Sequence, residues 1–346
     1  MDTSLDLTTL DIEQPAALLA YLRQAGHIRP DETPSLRVLA GGVSNRTVWV
    51  ERATGEAWVL KQALAKLRVP VDWFSSPERV HREALGLRWL VELAPPGTIP
   101  PLVFEDYTAH LIAMQAVPRP HANWKTLLLA GQVDEDHVIQ FGHLLATLHS
   151  GAYARRAELA PVFADRSFFE SLRLEPYYGY SAGQVPAAAP FLHDLMERTR
   201  SRTLTLVHGD YSPKNVLIHQ GQLVLLDHEV IHWGDPAFDL GFSLTHLLSK
   251  AHHLPAHRQA FAAAAKRYWQ TYIDQVAPLP WAGDLEAHAV RHTLACLLAR
   301  VAGRSPLEYL SPEERARQQQ AAVALMAAPP VRVNKLVDHF LDKVSA

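Results

Sequence analysis

The chain has 346 residues, 48% of them hydrophobic, and a formal net charge of −3 from 33 Lys and Arg against 36 Asp and Glu. That length suffices for two lobes that each bury a core, and the near balance of charge, with no basic block, argues against a general nucleic-acid binder. One cysteine, Cys296, rules out an intramolecular disulfide framework, and neither a secretion signal nor a run of roughly 18 apolar residues is present. A cytoplasmic monomer or homodimer that engages no membrane is expected.

In chain order, an amphipathic helix is predicted from Gln14 to Ala25, with Pro15 near its start and Gly26 as its stop. Strand-like runs follow at Leu36 to Ala40, Thr47 to Glu51 and Ala57 to Lys61, the last two joined around Thr54-Gly55. SSPERVHREALGLRWLVELAPPG then reads as one helix of about five turns, with Ser76 as N-cap and Pro95-Pro96-Gly97 as breaker. Leu102 to Phe104 and Leu111 to Met114 are further strands. After Pro118-Arg119-Pro120 helical periodicity takes over, first in DEDHVIQFGHLLATLHS, where Val138, Phe141, Leu145 and Leu148 share one face. Helices are also predicted for Pro255 to Asp274, Leu285 to Val301, and SPEERARQQQAAVALM, where Ser311 and Glu314 have capping-box spacing. PAAAP at 186–190 reads as a surface loop, and only one hairpin is expected to interrupt the helical half.

That hairpin lies in HGDYSPKNVLIHQGQLVLLDHE, residues 208–229. Val216 to His219 and Leu223 to Leu226 flank the turn Gln220-Gly221-Gln222, so the exit at Asp227 returns toward Asp210 and Asn215 at the entrance. Asn215 and Asp227 offer the hard oxygen donors that Mg²⁺ prefers. Glu229, two residues on along an extended chain, points to the same side, and Asp210 is free to accept a proton from a hydroxyl. The same acids and amides are also ordinary turn formers. A His/Asp metal site of a phosphohydrolase, built on His208, His228 and His232, is the rival chemistry.

Elsewhere, Glu83 shares a helix face with Val80, Leu87 and Leu90: either it is an exposed Glu at the edge of an amphipathic helix, or it is desolvated and takes a cationic partner, for which Lys61 at the end of AWVLK is the candidate. The loop GGVSNRT, with Gly41, Gly42, Ser44 and Asn45, either cradles phosphate through its backbone N–H groups or is only a turn between strands. Asp235 and Asp239 open a helix in GDPAFDLGFSLTHLL, where Asp239 is expected to brace backbone N–H groups around His208.

Together HGDYSPKN, LLDHE, GGVSN and VLKQA with Glu83 resemble the aminoglycoside phosphotransferase and choline kinase superfamily, over residues from about 36 to about 250. VLKQALAKLRV followed by ERVHREALGLRWL looks most like methylthioribose kinases. The resemblance implies an α+β, bilobal protein-kinase-like fold, with a small β-rich nucleotide-binding lobe at 1–117 and a larger, mainly helical lobe at 118–346. It also implies ATP and Mg²⁺ as cofactors, Lys61 on the α- and β-phosphates, Glu83 orienting Lys61, and Asp210 as catalytic base. Asn215 and Asp227 would be metal ligands, with Glu229 reaching a second ion, and adenine would sit near Met114, Gln115 and Val117. Many members carry His two residues after the catalytic Asp, whereas this chain has Ser212, Pro213 and Lys214; Lys214 either touches the transferred phosphate or points to solvent.

The acceptor is then a small molecule bearing a hydroxyl. Residues 201–346 hold 13 Asp and Glu against 14 Lys and Arg, with no acidic cluster, which leans away from a polycationic aminoglycoside and toward a sugar-like or amino-alcohol metabolite. Arg300 and Arg304 either meet a substrate carboxylate or cap a helix C-terminus. The alternatives to a kinase are a pseudokinase without transfer activity and a nucleotidyl transferase on the same fold.

Overall fold

The computed structural model describes residues 10–39, 42–69 and 72–345. The chain divides into two compact units, one of the residues up to Glu92 with Ile99–Pro118, the other of Leu93–Thr98 with the chain from Arg119 onward. The first is β-rich with one long helix and the second is larger and helical, which is the α+β composition of the protein-kinase-like fold. No helix among the described residues is long and apolar enough to cross a membrane.

In the first unit, helix α1 (Pro15–Gln24) precedes strands β1 (Ser35–Val38), β2 (Asn45–Glu51) and β3 (Ala57–Ala63), helix α2 (Arg79–Leu93), and strands β4 (Leu102–Asp106) and β5 (Leu111–Gln115). The strands form one antiparallel sheet in the order β1-β2-β3-β5-β4. Alternation along β3 sends Trp58 and Leu60 into a core with Leu18, Tyr21 and Leu22 of α1. Lys61 belongs to the opposite face. Helix α2 starts at Arg79, later than its sequence suggests, because a turn intervenes: the Ser76 hydroxyl accepts from Glu78 N and its carbonyl from Arg79 N. The helix is therefore 15 residues long, about four turns.

The second unit opens with β6 (Ala122–Asn123), α3 (Trp124–Leu129) and α4 (Glu135–Ala154), whose N-cap Asp134 accepts from Asp136 N and His137 N. Short helices α5 (Arg156–Val162), α6 (Ser167–Phe169) and α7 (Tyr180–Gln184) surround a π-helical segment, Glu170–Gly179, and lead to α8 (Ala189–Ser201). Sequence periodicity is silent here because Pro161 and Pro176 lie inside helical segments. PAAAP is not a free loop: Pro186–Ala188 form one 3₁₀ turn feeding α8, and Ala188 is buried.

Next come β7 (Thr205–Val207), β8 (Val216–His219), β9 (Gln222–Leu225) and β10 (His232–Gly234). The expected hairpin is present as β8 and β9 in register Val216↔Leu225, but it is not the only β-structure, since β6 pairs with β8 and β7 with β10. These extra strands are two or three residues long, too short to show a period. Helices α9 (Ala237–His253), α10 (Arg258–Val276), α11 (Leu285–Ala302), α12 (Pro312–Met326) and α13 (Val333–Ser345) complete the unit. The run from Ala237 to His252 in α9 is buried throughout, so this helix is central.

Candidate active site

The loop after β7 is built on a glycine. Gly209 has φ +77°, and a Cβ there would lie 2.9 Å from Val230 Cγ2 and 3.1 Å from the Val230 carbonyl. Asp239, in the first turn of α9, accepts from His208 N at 2.7 Å and Gly209 N at 2.8 Å, so one carboxylate holds the strand-to-loop turn. His149 of α4 lies 3.3 Å from the same carboxylate and 2.7 Å from the Tyr272 hydroxyl. Tyr211 is stacked on Phe141, donates to the Phe141 carbonyl, and accepts at its own carbonyl from Ser243. The loop is thus fixed on both sides of Asp210.

Asp210 is 1% exposed, and its Oδ2 lies 2.8 Å from Arg173 Nη2 and 3.1 Å from Lys214 Nζ. Burial by itself would raise this carboxyl, but Arg173 and Lys214 outweigh it and hold Asp210 below the usual carboxylate range. Arg173 comes from the π-helical segment and also donates to the Gly209 carbonyl at 3.0 Å. Its role was not legible in sequence; a cation in the aromatic- and proline-rich run RLEPYYGY was the available signal.

The hairpin closes the arrangement. Asn215 ends a 3₁₀ turn, donates from Nδ2 to the Asp210 carbonyl at 3.0 Å, and accepts at its own carbonyl from Leu226 N at 2.8 Å, one residue before Asp227. Asp227 adopts φ +69°, a strained region for a residue other than glycine. The extended chain on which the Glu229 expectation rested is absent, because β9 ends at Leu225 and residues 229–230 form a turn. Glu229 is nevertheless buried, and it and Asp227 both act electrostatically on Arg173.

The donor set fits a hard divalent ion. The Nδ2 bond turns the Asn215 amide oxygen away from the Asp210 carbonyl, and Asp227 and Glu229 add carboxylate oxygens. The rival histidine site is not assembled. Among the described residues, the three-residue His/Cys/Asp/Glu group with ligand atoms within 4.8 Å of one another is Glu78, His81 and His110, in the first unit.

In the first unit, Lys61 Nζ lies 2.6 Å from Glu83 Oε1, and Glu83 is fully buried. Ser44 and Asn45 are linked by a 3.2 Å side-chain bond at the start of β2. Their loop is tied to α2 by Arg79, fully buried, which bonds the carbonyls of Ser44, Leu64 and Ser75, a cross-link the sequence did not reveal. Gly42 has no left-handed backbone, and Gly41 lies outside the described residues. Met114 and Val117 are buried and Gln115 is exposed at the end of β5.

The sequence profile of the Phosphotransferase enzyme family matches residues 35–279. A methylthioribose kinase of Pectobacterium carotovorum is 25% identical over 293 residues, covering 73% of this chain and 72% of the relative. One from Yersinia pseudotuberculosis is 24% identical, covering 74% and 72%. Among solved structures, an amicoumacin kinase in complex with AMP-PNP and Ca²⁺ superposes with a TM-score of 0.59 at 14% identity, covering 91% of this chain and 94% of that one. An ethanolamine kinase of Plasmodium vivax gives 0.55 at 9% identity, covering 98% and 91%.

Proposed function

The chain belongs to the phosphotransferase enzyme family and is a small-molecule kinase with an alcohol group as acceptor, and from that premise we propose that it transfers the γ-phosphate of ATP to a hydroxyl of a sugar-like metabolite. The observation that carries this reading is Asp210: a buried, ionised carboxylate on a loop pinned by Asp239, within reach of Lys214 and linked to Asn215.

Phosphoryl transfer proceeds through a loose transition state, so the protein contributes mainly alignment and charge neutralisation. Asp210 would accept the hydrogen of the acceptor hydroxyl and orient its oxygen. A carboxylate held below its ordinary range is a weak base, which suits a step where the proton leaves late. Lys214 would meet the phosphoryl oxygens as charge moves onto them. Lys61, fixed by Glu83, would hold the α- and β-phosphates, and Ser44, Asn45 and the glycines Gly41 and Gly42 would border them. Met114, Gln115 and Val117 would border the adenine. Asn215, Asp227 and Glu229 would hold Mg²⁺, which when bound neutralises phosphate charge.

The methylthioribose kinases similar to this chain support a sugar-like acceptor. The test is to incubate the protein with ATP and Mg²⁺ across sugars, amino alcohols and aminoglycosides, and to weigh the products. A gain of one phosphate on a hydroxyl compound is expected; a nucleotidyl gain, or no acceptor-dependent ATP consumption, overturns the proposal.

A further inference from the structure

Among the polar residues of helix α9, which also include Thr245, Ser249, His252 and His253, Asp239, Ser243, His246 and Lys250 form a line at helical spacing. Its first two members serve the catalytic loop, Asp239 through His208 N and Gly209 N and Ser243 through the Tyr211 carbonyl. The other two continue the same line with no such duty. Lys250 is fully buried, and its ammonium makes one hydrogen bond among the described residues, to the His246 carbonyl at 3.2 Å. His246 is 3% exposed, and its Nε2 has no hydrogen-bond partner there.

The surroundings of these two residues are cationic. Tyr309 is approached by Lys250 Nζ at 5.4 Å from its ring centroid and by Lys125 Nζ at 6.0 Å. Arg300, at the end of α11, donates to the Tyr177 hydroxyl at 3.0 Å, and Arg173 stands 6.0 Å from the same ring, which links the cluster to Asp210. Lys125 is next to the catalytic loop as well, because Asn123, which caps α3, donates to the Lys214 carbonyl at 2.8 Å. Burial, with Arg300, Lys250, Lys214 and Lys125 acting in the same direction, keeps His246 well below the usual imidazole range. Among the described residues the carboxylate paired with Lys125 is the exposed Glu308, which also acts on Lys250 and Arg300.

Like charges gathered in a buried place are costly unless an opposite charge enters. We propose that the acceptor is anionic: a hydroxy compound of sugar length whose carboxylate or phosphate seats against Lys250 and Arg300 while its hydroxyl meets Asp210. This rests on the kinase reading and names its substrate class. The seven-residue step from Ser243 to Lys250 is about 10 Å of helix, so a two-carbon acid is too short to serve both ends. Aromatic walls from Tyr177 and Tyr309 would border the carbon skeleton, and a polycationic acceptor would be repelled.

The experiment has two arms. Without nucleotide and at constant ionic strength, thermal unfolding is followed with gluconate and with ribose 5-phosphate, each against its uncharged partner, glucitol or ribose. Stabilisation by either anion but not its partner is expected, the two anions distinguishing carboxylate from phosphate, and it should vanish in Lys250→Met and in a folded Arg300→Gln. No stabilisation by either anion, equal stabilisation by the uncharged partners, or an effect that survives both substitutions overturns the proposal. In the second arm, with ATP and Mg²⁺, kcat/KM for the favoured anion should exceed that of its partner at least tenfold, and Lys250→Met should raise KM tenfold or more with little change in kcat. Equal use of the uncharged partner overturns the proposal. Anion binding without any transfer would instead refute the kinase reading and leave the anion site standing.

Discussion

Asp210 is held by two cations of different character. Arg173 is buried and donates to the Gly209 carbonyl as well, whereas the Lys214 side chain is 44% exposed. Only the Lys214 end of its pair with the buried Asp210 is exposed, and Arg173 stays beside Asp210 when Lys214 is removed. Lys214→Ala should therefore lower stability by less than about 1 kcal/mol while lowering kcat; an unchanged turnover rate would refute a role on the phosphoryl group. Asp210→Asn should reduce transfer by about 10²- to 10⁴-fold and leave ATP binding largely intact by calorimetry. Equal loss of ATP affinity would contradict the assigned role. Lys250 offers a separate test, because burial, together with Lys125 and Arg300, lowers it to about 7. Its folded value is below its unfolded one, so between about pH 7 and 10 the unfolded chain binds more protons and stability rises with pH. Lys250→Met should lose that rise, amounting to a few kcal/mol in the wild type by linkage, and be at least as stable at pH 7. A pH profile identical to wild type would show that Lys250 keeps its ordinary charge.

At the scale of elements, α9 does two jobs, and its contact with α11 explains how it can lie so deep. A Cβ at Gly241 would sit 2.4 Å from His292 Cβ and 2.6 Å from the His292 carbonyl carbon, so only glycine permits this approach. Thr245 bonds the Thr293 carbonyl at 3.2 Å across the same seam. Gly241→Ala should cost about 1–3 kcal/mol through overpacking, read as a lower urea midpoint with an unchanged slope; a neutral substitution would mean the helices can part freely. The π-helical segment is the counterpart on the other side of Asp210. Pro176 cannot donate a backbone bond, and the segment carries Arg173 to the loop and Tyr177 to Arg300. By contrast, the capping box at α12 was legible because its signal is local: Ser311 accepts from Glu314 N, and Glu314 from Ser311 N.

Across the second unit, one residue couples the helical core to the catalytic loop. Asp239 is fully buried and satisfies two loop N–H groups while meeting His149, itself bonded to Tyr272 of α10. Asp239→Ala leaves both N–H groups without an acceptor, at about 1–3 kcal/mol each. A drop of a few kcal/mol in stability, with loss of activity beyond what unfolding explains, is expected by denaturation and assay at low temperature. Unchanged stability would show that other acceptors take over.

The sequence by itself determined the β8–β9 hairpin, the Lys61 and Glu83 runs, the Asp239 brace, and the motif order that places the chain in its family. The hairpin, the runs and the motifs depend on residue type at short spacing, which a linear reading captures, whereas the Asp239 brace joins residues 30 apart in the chain. Tertiary structure alone decided which cations surround Asp210 and that Lys125, Lys250 and Arg300 gather near one another. Those groups come from α3, α9, α11 and the π-helical segment, and a balanced tally of charge along the chain hides a local excess that only packing creates.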